Sequence, residues 1–288
     1  AVCAVFGGPA GAVIVAASLG AVVSGGMQFA SNNYRVEGDA IELTGGAPII
    51  RVGDGTSAGQ SYTATIASQL TGTDGLTKTD LGTLVLTGEN TYTGGTTVRE
   101  GALVLGENGA SGSILGDVAL GDGGLLVFRR SDPYAFDGTI TGTGAVMQNG
   151  SSVTILSGDN RYTGQTRVQS GTLLVNGDQT AATGQVTVAN GATLGGAGIV
   201  GGDVHLLDGD LHHRPEALEG ADRGVEPVRG EVLLHLVEFV QEELEPEFVG
   251  LVDDDEEGLV VLGRVRPRLL EREELVDVEV IGVGEFHG

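Results

Sequence analysis

Gly88–Leu105 reads GENTYTGGTTVREGALVL and Gly158–Val175 reads GDNRYTGQTRVQSGTLLV, one stretch written twice at an offset of 70 residues. Nine of the 18 aligned positions are identical: Gly88/Gly158, Asn90/Asn160, Tyr92/Tyr162, Thr93/Thr163, Gly94/Gly164, Thr96/Thr166, Val98/Val168, Gly101/Gly171 and Leu103/Leu173. The shared residues are strand formers and turn formers, not catalytic groups. A repeat that cannot bury its apolar face alone must stack on its neighbours, so the copy points to an architecture before it points to any chemistry.

The same grammar extends outward to about Leu206. Runs of three to six residues alternate apolar and polar groups and are separated by Gly, Asn and Asp, which is the signature of strands and turns. No sustained helical spacing occurs before Leu207, and runs this short do not make stable helices. The expectation is an all-β fold over residues 1–206, with parallel strands at 83–87, 96–99 and 102–105 and their counterparts 153–157, 166–169 and 172–175. Val13 to Val15 and Ala21 to Val23 read as short strands at its start. Seventy residues are too many for one rung of a solenoid, and three rungs per repeat give roughly 23 residues each. Like residues then stack about 4.8 Å apart. Leu84, Leu86, Val98, Leu103 and Leu105 form the expected inward set, and Val98→Asp should cost several kcal/mol.

Composition narrows the function. The chain has 288 residues, 51 of them Gly, no Trp and a net charge of −24, which disfavours nucleic acid and anionic lipid as partners. Cys3 is the single cysteine, so no intramolecular disulfide forms and thiolate-rich metal sites are ruled out. The apolar opening AVCAVFGGPAGAVIVAASLGAVV lacks the basic start of a secretory signal and is too rich in Gly and Ser for a membrane span.

Residues 207–288 change character. They carry −16 of the net charge and contain no Thr, Ser, Asn, Lys or Tyr. Apart from three Phe and one Ile, they use only the ten residue types whose codons can begin with G or C. That bias is expected of out-of-frame or opposite-strand translation through GC-rich DNA, and the parent nucleotide sequence would decide it. As protein, the segment reads as an acidic tail, disordered or weakly helical: EVLLHLVEFVQEELE from Glu231 has helical spacing until Pro246. A boundary near Leu206 follows, with the tail making few inward contacts and being lost early in limited proteolysis.

GLTKTDLGTLVLTGENTYTGGTTVREGALVLG, from Gly75 to Gly106, resembles the passenger-associated strand repeat of bacterial autotransporters, the type V secreted proteins. Residues 75–106 and 144–177 are the equivalent units, and Gly26–Gly45 and Gly191–Val204 resemble flanking blocks of such passengers. The resemblance implies a right-handed parallel β-helix on the surface of, or released from, a Gram-negative bacterium. It further implies a structural stalk or adhesin without a catalytic centre or cofactor, with host surfaces or glycans as possible partners. Neither a signal peptide nor a translocator barrel is expected in the quoted chain; Val276–Val280 alternates, but one strand is not a barrel. The alternative is a β-helical lyase or hydrolase acting on polysaccharide.

Each motif that could carry chemistry also has an ordinary structural role in a strand-and-turn chain. Gly196–Gly201 fits G-x-G-x-x-G but precedes a strand where a dinucleotide site needs a helix, so it reads as turn chemistry. Asp54, Asp74, Asp80, Asp117, Asp122 and Asp159 could supply the paired carboxylates of a glycosidase, yet Asp is also an ordinary turn residue. His205, His212 and His213 do not make a dependable metal cluster, and Asp253–Glu257 reads as a solvated charge block. Asn149-Gly150-Ser151 is a glycosylation sequon in form only. Tyr92 and Tyr162 read as braces of the turn between rungs in preference to an exposed glycan-binding row. No catalytic, cofactor-binding or metal-ligating residue is expected.

Overall fold

The computed structural model describes residues 3–207 and the strands Val249–Val252, Val260–Val265 and Val278–Gly284. The first of its two compact units winds as a parallel β-solenoid. Each rung turns through three faces. The second face is unbroken through ten strands, from Ala12–Val15 to Val204–Leu207, and the first face runs through eight, from Cys3–Phe6 to Arg161–Tyr162. All pairings between strands of this unit are parallel, as the period-two runs with no hairpin turns predict. The expected strands appear at Thr83–Leu86, Thr96–Val98, Gly101–Leu105, Val153–Leu156, Thr166–Val168 and Thr172–Val175. The early ones fall at Ala12–Val15 and Val22–Ser24. The helical exception among the described residues is one 3-10 turn, Ser57–Ser61, in a corner.

The core is a column of inward side chains. Leu84, Leu86, Val98, Leu103 and Leu105 are all fully buried. Leu84 sits beneath Leu103, which sits beneath Leu126, and the next in line is Val146. Alternation along each strand sends every second residue outward, and the outward Val85, Val104 and Val127 form a small apolar ladder of their own.

The rung length differs from the expected 23. Leu84, Leu103, Leu126 and Val146 mark rungs of 19, 23 and 20 residues. Three rungs above Leu84 therefore lies Val146, whereas the residue 70 positions on, Thr154, lies on the third face. The sequence repeat equals three rungs plus one face. Thr96–Val98 is on the first face and its copy Thr166–Val168 on the second; Gly101–Leu105 is on the second and its copy Thr172–Val175 on the third. The two copies are thus the same local structure mounted on different sides of the stack, not rungs of one ladder.

Corners set the rung spacing through glycine. Gly124, Gly144, Gly164, Gly184 and Gly202 stand one above another, and a Cβ on any of the upper four would overlap the carbonyl oxygen of the glycine beneath. Gly116, Gly138, Gly158, Gly177 and Gly198 form a second column with the same property. Only a residue without Cβ lets successive turns close to strand spacing there.

The second unit contains a three-stranded antiparallel sheet of Val249–Val252, Val260–Val265 and Val278–Gly284, with a register shift between Leu262 and Gly263. The helix expected from Glu231 and the charge block at Asp253–Glu257 lie outside the described residues.

Candidate functional site

The copied stretch builds a corner. Asn90 and Asn160 are both fully buried and act on the rung below: Asn90 Oδ1 accepts from the Leu70 amide at 2.9 Å and Asn160 Oδ1 from the Ile140 amide at 2.7 Å. Each asparagine reaches back 20 residues, one rung, although the two corners lie on different sides of the solenoid. Two residues on, Tyr92 and Tyr162 are buried and their hydroxyls pair with Thr96 Oγ1 at 2.7 Å and Thr166 Oγ1 at 2.6 Å. Burial pushes both phenols up, that of Tyr162 to about 12, so they stay neutral. The tyrosines are therefore internal braces, as expected, and not an outer aromatic row.

Lys78 is a brace that sequence reading missed. It is fully buried, and its Nζ donates to the carbonyls of Glu100 at 2.9 Å and Thr79 at 3.1 Å, and to that of Asp80. Gln148 stands 70 residues on and does the same work without charge: Nε2 donates to the carbonyls of Gly150 at 3.2 Å and Ser152 at 3.1 Å, and Oε1 accepts from Thr154. The offset itself was the signal that could have revealed the pair. Burial lowers the Lys78 amine to about 8 from 10.5, with the carboxylates of Asp80 and Glu100 pulling the other way. The folded chain then binds fewer protons than the unfolded one between those values, so this group makes stability rise with pH across about 8 to 10.5. Lys78→Gln should keep the fold and remove that rise. Lys78→Met leaves the corner carbonyls without donors and should cost about 1–3 kcal/mol, read by thermal unfolding of the three proteins at pH 7 and pH 10.

A second polar cluster fastens the third face where it has no strands. Between Leu70–Thr71 and Tyr134–Phe136 that face is crossed by turns, joined by a single bridge between Glu89 and Ser113. The Arg130 guanidinium, only 7% exposed, binds both oxygens of Asp132 at 2.9 Å, donates to the Ala110 carbonyl at 2.9 Å and lies 3.4 Å from Glu89. It also stacks 4.9 Å from the Tyr134 ring. Glu89 accepts from the Gly112 amide and the Ser113 hydroxyl. Hydrogen bonding from Arg130 holds the Asp132 carboxyl below its ordinary value. The bonds to Ala110, Gly112 and Ser113 tie residues 106–116 to the stack, where no strand ladder does.

The carboxylates singled out as candidate catalysts are scattered and engaged. Asp74 accepts from the Gly46 amide at 2.7 Å, Asp117 from Thr139 at 2.8 Å, and Asp159 from Asp178 at 2.9 Å. Asp80 takes Arg51 at 2.8 Å, Gly55 at 3.0 Å and its neighbour Leu81. Burial pushes its carboxyl up, but these donors outweigh burial and hold it below the usual range. Asp54 stays within its own corner, accepting from Thr56 and Tyr62. Most of these bonds join one rung to the next, and Asp122 makes none among the described residues. Nor do the described residues contain a group of three or more His, Cys, Asp and Glu placed to hold a metal ion. His205 is an exposed outward residue beside Thr187, and His212 and His213 lie outside the described residues. Gly196–Gly201 is strand and corner, with Gly198 stacked on Gly177, and leads into the strand Val204–Leu207.

The family model of the passenger-associated transport repeat matches residues 76–105 and 148–175, the two corner-forming stretches together with the strands on either side. A curated relative, the adhesin BmaC autotransporter of Brucella suis biovar 1 (strain 1330), is 47% identical over 157 residues, covering 54% of this chain and 4% of the relative. The chain thus spans a small part of that protein's length. No solved structure gives a significant match. A parallel solenoid whose corners carry two such repeats, and more than half of whose length aligns with an autotransporter adhesin, is similar to a segment of an autotransporter passenger, the surface-exposed or secreted part of these Gram-negative proteins.

Proposed function

We propose that this segment is a non-catalytic stalk with an adhesive outer surface. The observation that carries the reading is the use made of its polar groups: Asp74, Asn90, Asp117, Asp159 and Asn160, side chains that could do chemistry, are spent on fastening rung to rung. The name of the BmaC relative, an adhesin, agrees with it. A surface built this way contacts a partner through many shallow outward residues spread along the faces, so host-cell surfaces or glycans are the partners expected. The solenoid is the working part, and the boundary near Leu206 separates it from the acidic segment that follows.

Two assays test this. Beads coated with the purified chain should bind epithelial cells or extracellular-matrix proteins above an acidic control protein, and a panel of acidic and neutral polysaccharides should yield no shortened products. Release of oligosaccharides would favour the β-helical lyase or hydrolase instead, and failure to bind any cell or matrix component would leave a spacer without adhesion.

A further inference from the structure

Asparagine followed by glycine occurs four times in the solenoid: Asn108-Gly109, Asn149-Gly150, Asn176-Gly177 and Asn190-Gly191. Such a pair can react with itself. The glycine backbone nitrogen attacks the asparagine Cγ, a C–N bond forms, the side-chain nitrogen leaves as ammonia with the amide proton, and a succinimide results. Water then opens the ring at either carbonyl to give aspartate or isoaspartate. The reaction needs a free side-chain amide, an unbonded glycine N–H and room for the backbone to turn.

The fold sorts the four pairs two and two. Asn176 is held, since its Oδ1 accepts from the Ala197 amide at 3.1 Å and the Gly177 N–H is bonded to the Leu156 carbonyl at 3.3 Å. Asn149 Oδ1 accepts from Ser170 Oγ at 3.4 Å, and Gly150 is buried, packed against the Arg130 backbone, with its carbonyl taken by Gln148 and Ser170. By contrast, Asn108 and Asn190 are exposed and their side chains bond to nothing among the described residues. Gly109 and Gly191 have open space where a side chain would stand, and neither donates its N–H to a described residue.

We propose that Asn108 and Asn190 are sites of spontaneous covalent modification, converting through succinimides to aspartate and isoaspartate on the folded solenoid, while Asn149 and Asn176 are protected by the stack. Conversion at Asn108 places a new carboxylate beside Glu107, whose partner is Arg35 at 3.5 Å, so the modification adds to the negative charge of a corner that reaches a distant rung.

The test is incubation of the full chain at pH 8.5 and about 37 °C, with and without denaturant, followed by peptide mass mapping and isoaspartyl methyltransferase labelling. In the folded chain, acid and isoaspartate should accumulate at Asn108 and Asn190 at close to the rates of the denatured chain. Asn149 and Asn176 should lag by about tenfold or more, the equivalent of a local opening cost of about 1.4 kcal/mol. Denaturant should bring all four together. Asn108→Gln and Asn190→Gln should abolish the label at each site, because the longer side chain closes a ring far less readily. Equal rates at the four sites in the folded chain, or no conversion at Asn108 and Asn190 where the denatured chain converts, would overturn the proposal.

Discussion

Leu103→Asp should unfold the middle of the solenoid, at a cost of about 3–5 kcal/mol. Leu103 is fully buried, with Leu84 one rung below and Leu126 one rung above, so an aspartate there has only aliphatic neighbours in its ladder. Val98→Asp should cost several kcal/mol but less than Leu103→Asp. Val98 is also fully buried, yet its ladder neighbour below is Lys78, an ammonium group already inside the core. The comparison separates burial from electrostatics, because the two sites are equally buried and differ in the charge beneath them. Thermal and denaturant unfolding followed by circular dichroism give the reading. An unchanged midpoint for Leu103→Asp would mean the second face is inverted, with Leu103 facing water.

The second large effect is expected from Gly164→Val, about 3 kcal/mol or more. The overlap it creates is with the backbone carbonyl of Gly144, which cannot move aside as a side-chain end can, and Gly184 closes on Gly164 from above in the same way. Relief therefore requires parting two rungs, which breaks ladder hydrogen bonds on the faces beside the corner. Because each rung of a solenoid contacts only its neighbours, the damage should appear as a locally opened segment before global unfolding. Hydrogen exchange should show lost protection in residues 140–190 while residues 20–100 keep theirs. Gly109→Ala is the matched control: its Cβ meets nothing within 4 Å, and it should leave the midpoint within about 0.5 kcal/mol of the parent. Equal tolerance of the two substitutions would show that the glycine column does not set the rung spacing.

Function follows from these same contacts. A stalk needs stiffness along its axis, and here stiffness comes from strand ladders on three faces, from glycine columns that let corners close, and from Asn, Asp and Lys side chains that reach one rung up or down. Groups bonded in this way are not free to act on a substrate. That physical trade connects the fold to the non-catalytic reading, and the binding and degradation assays bear on it directly.

The strands, the inward leucines and the Asn–Tyr–Thr corner were legible in the sequence because each depends on residues close in the chain. Alternation has period two, and the Tyr92–Thr96 bond spans four residues, as does Tyr162–Thr166. Such structure travels with its sequence, which is why both copies form it on different faces. Rung length and the face each copy occupies were decided only by the tertiary structure. They depend on where the chain closes a turn, and closure is set by corner insertions such as residues 106–112, which stretch one rung to 23 residues beside neighbours of 19 and 20. The partners of Lys78 and Arg130 belong to that same class, since Glu100, Glu89 and Ala110 come within reach only after the turns have stacked.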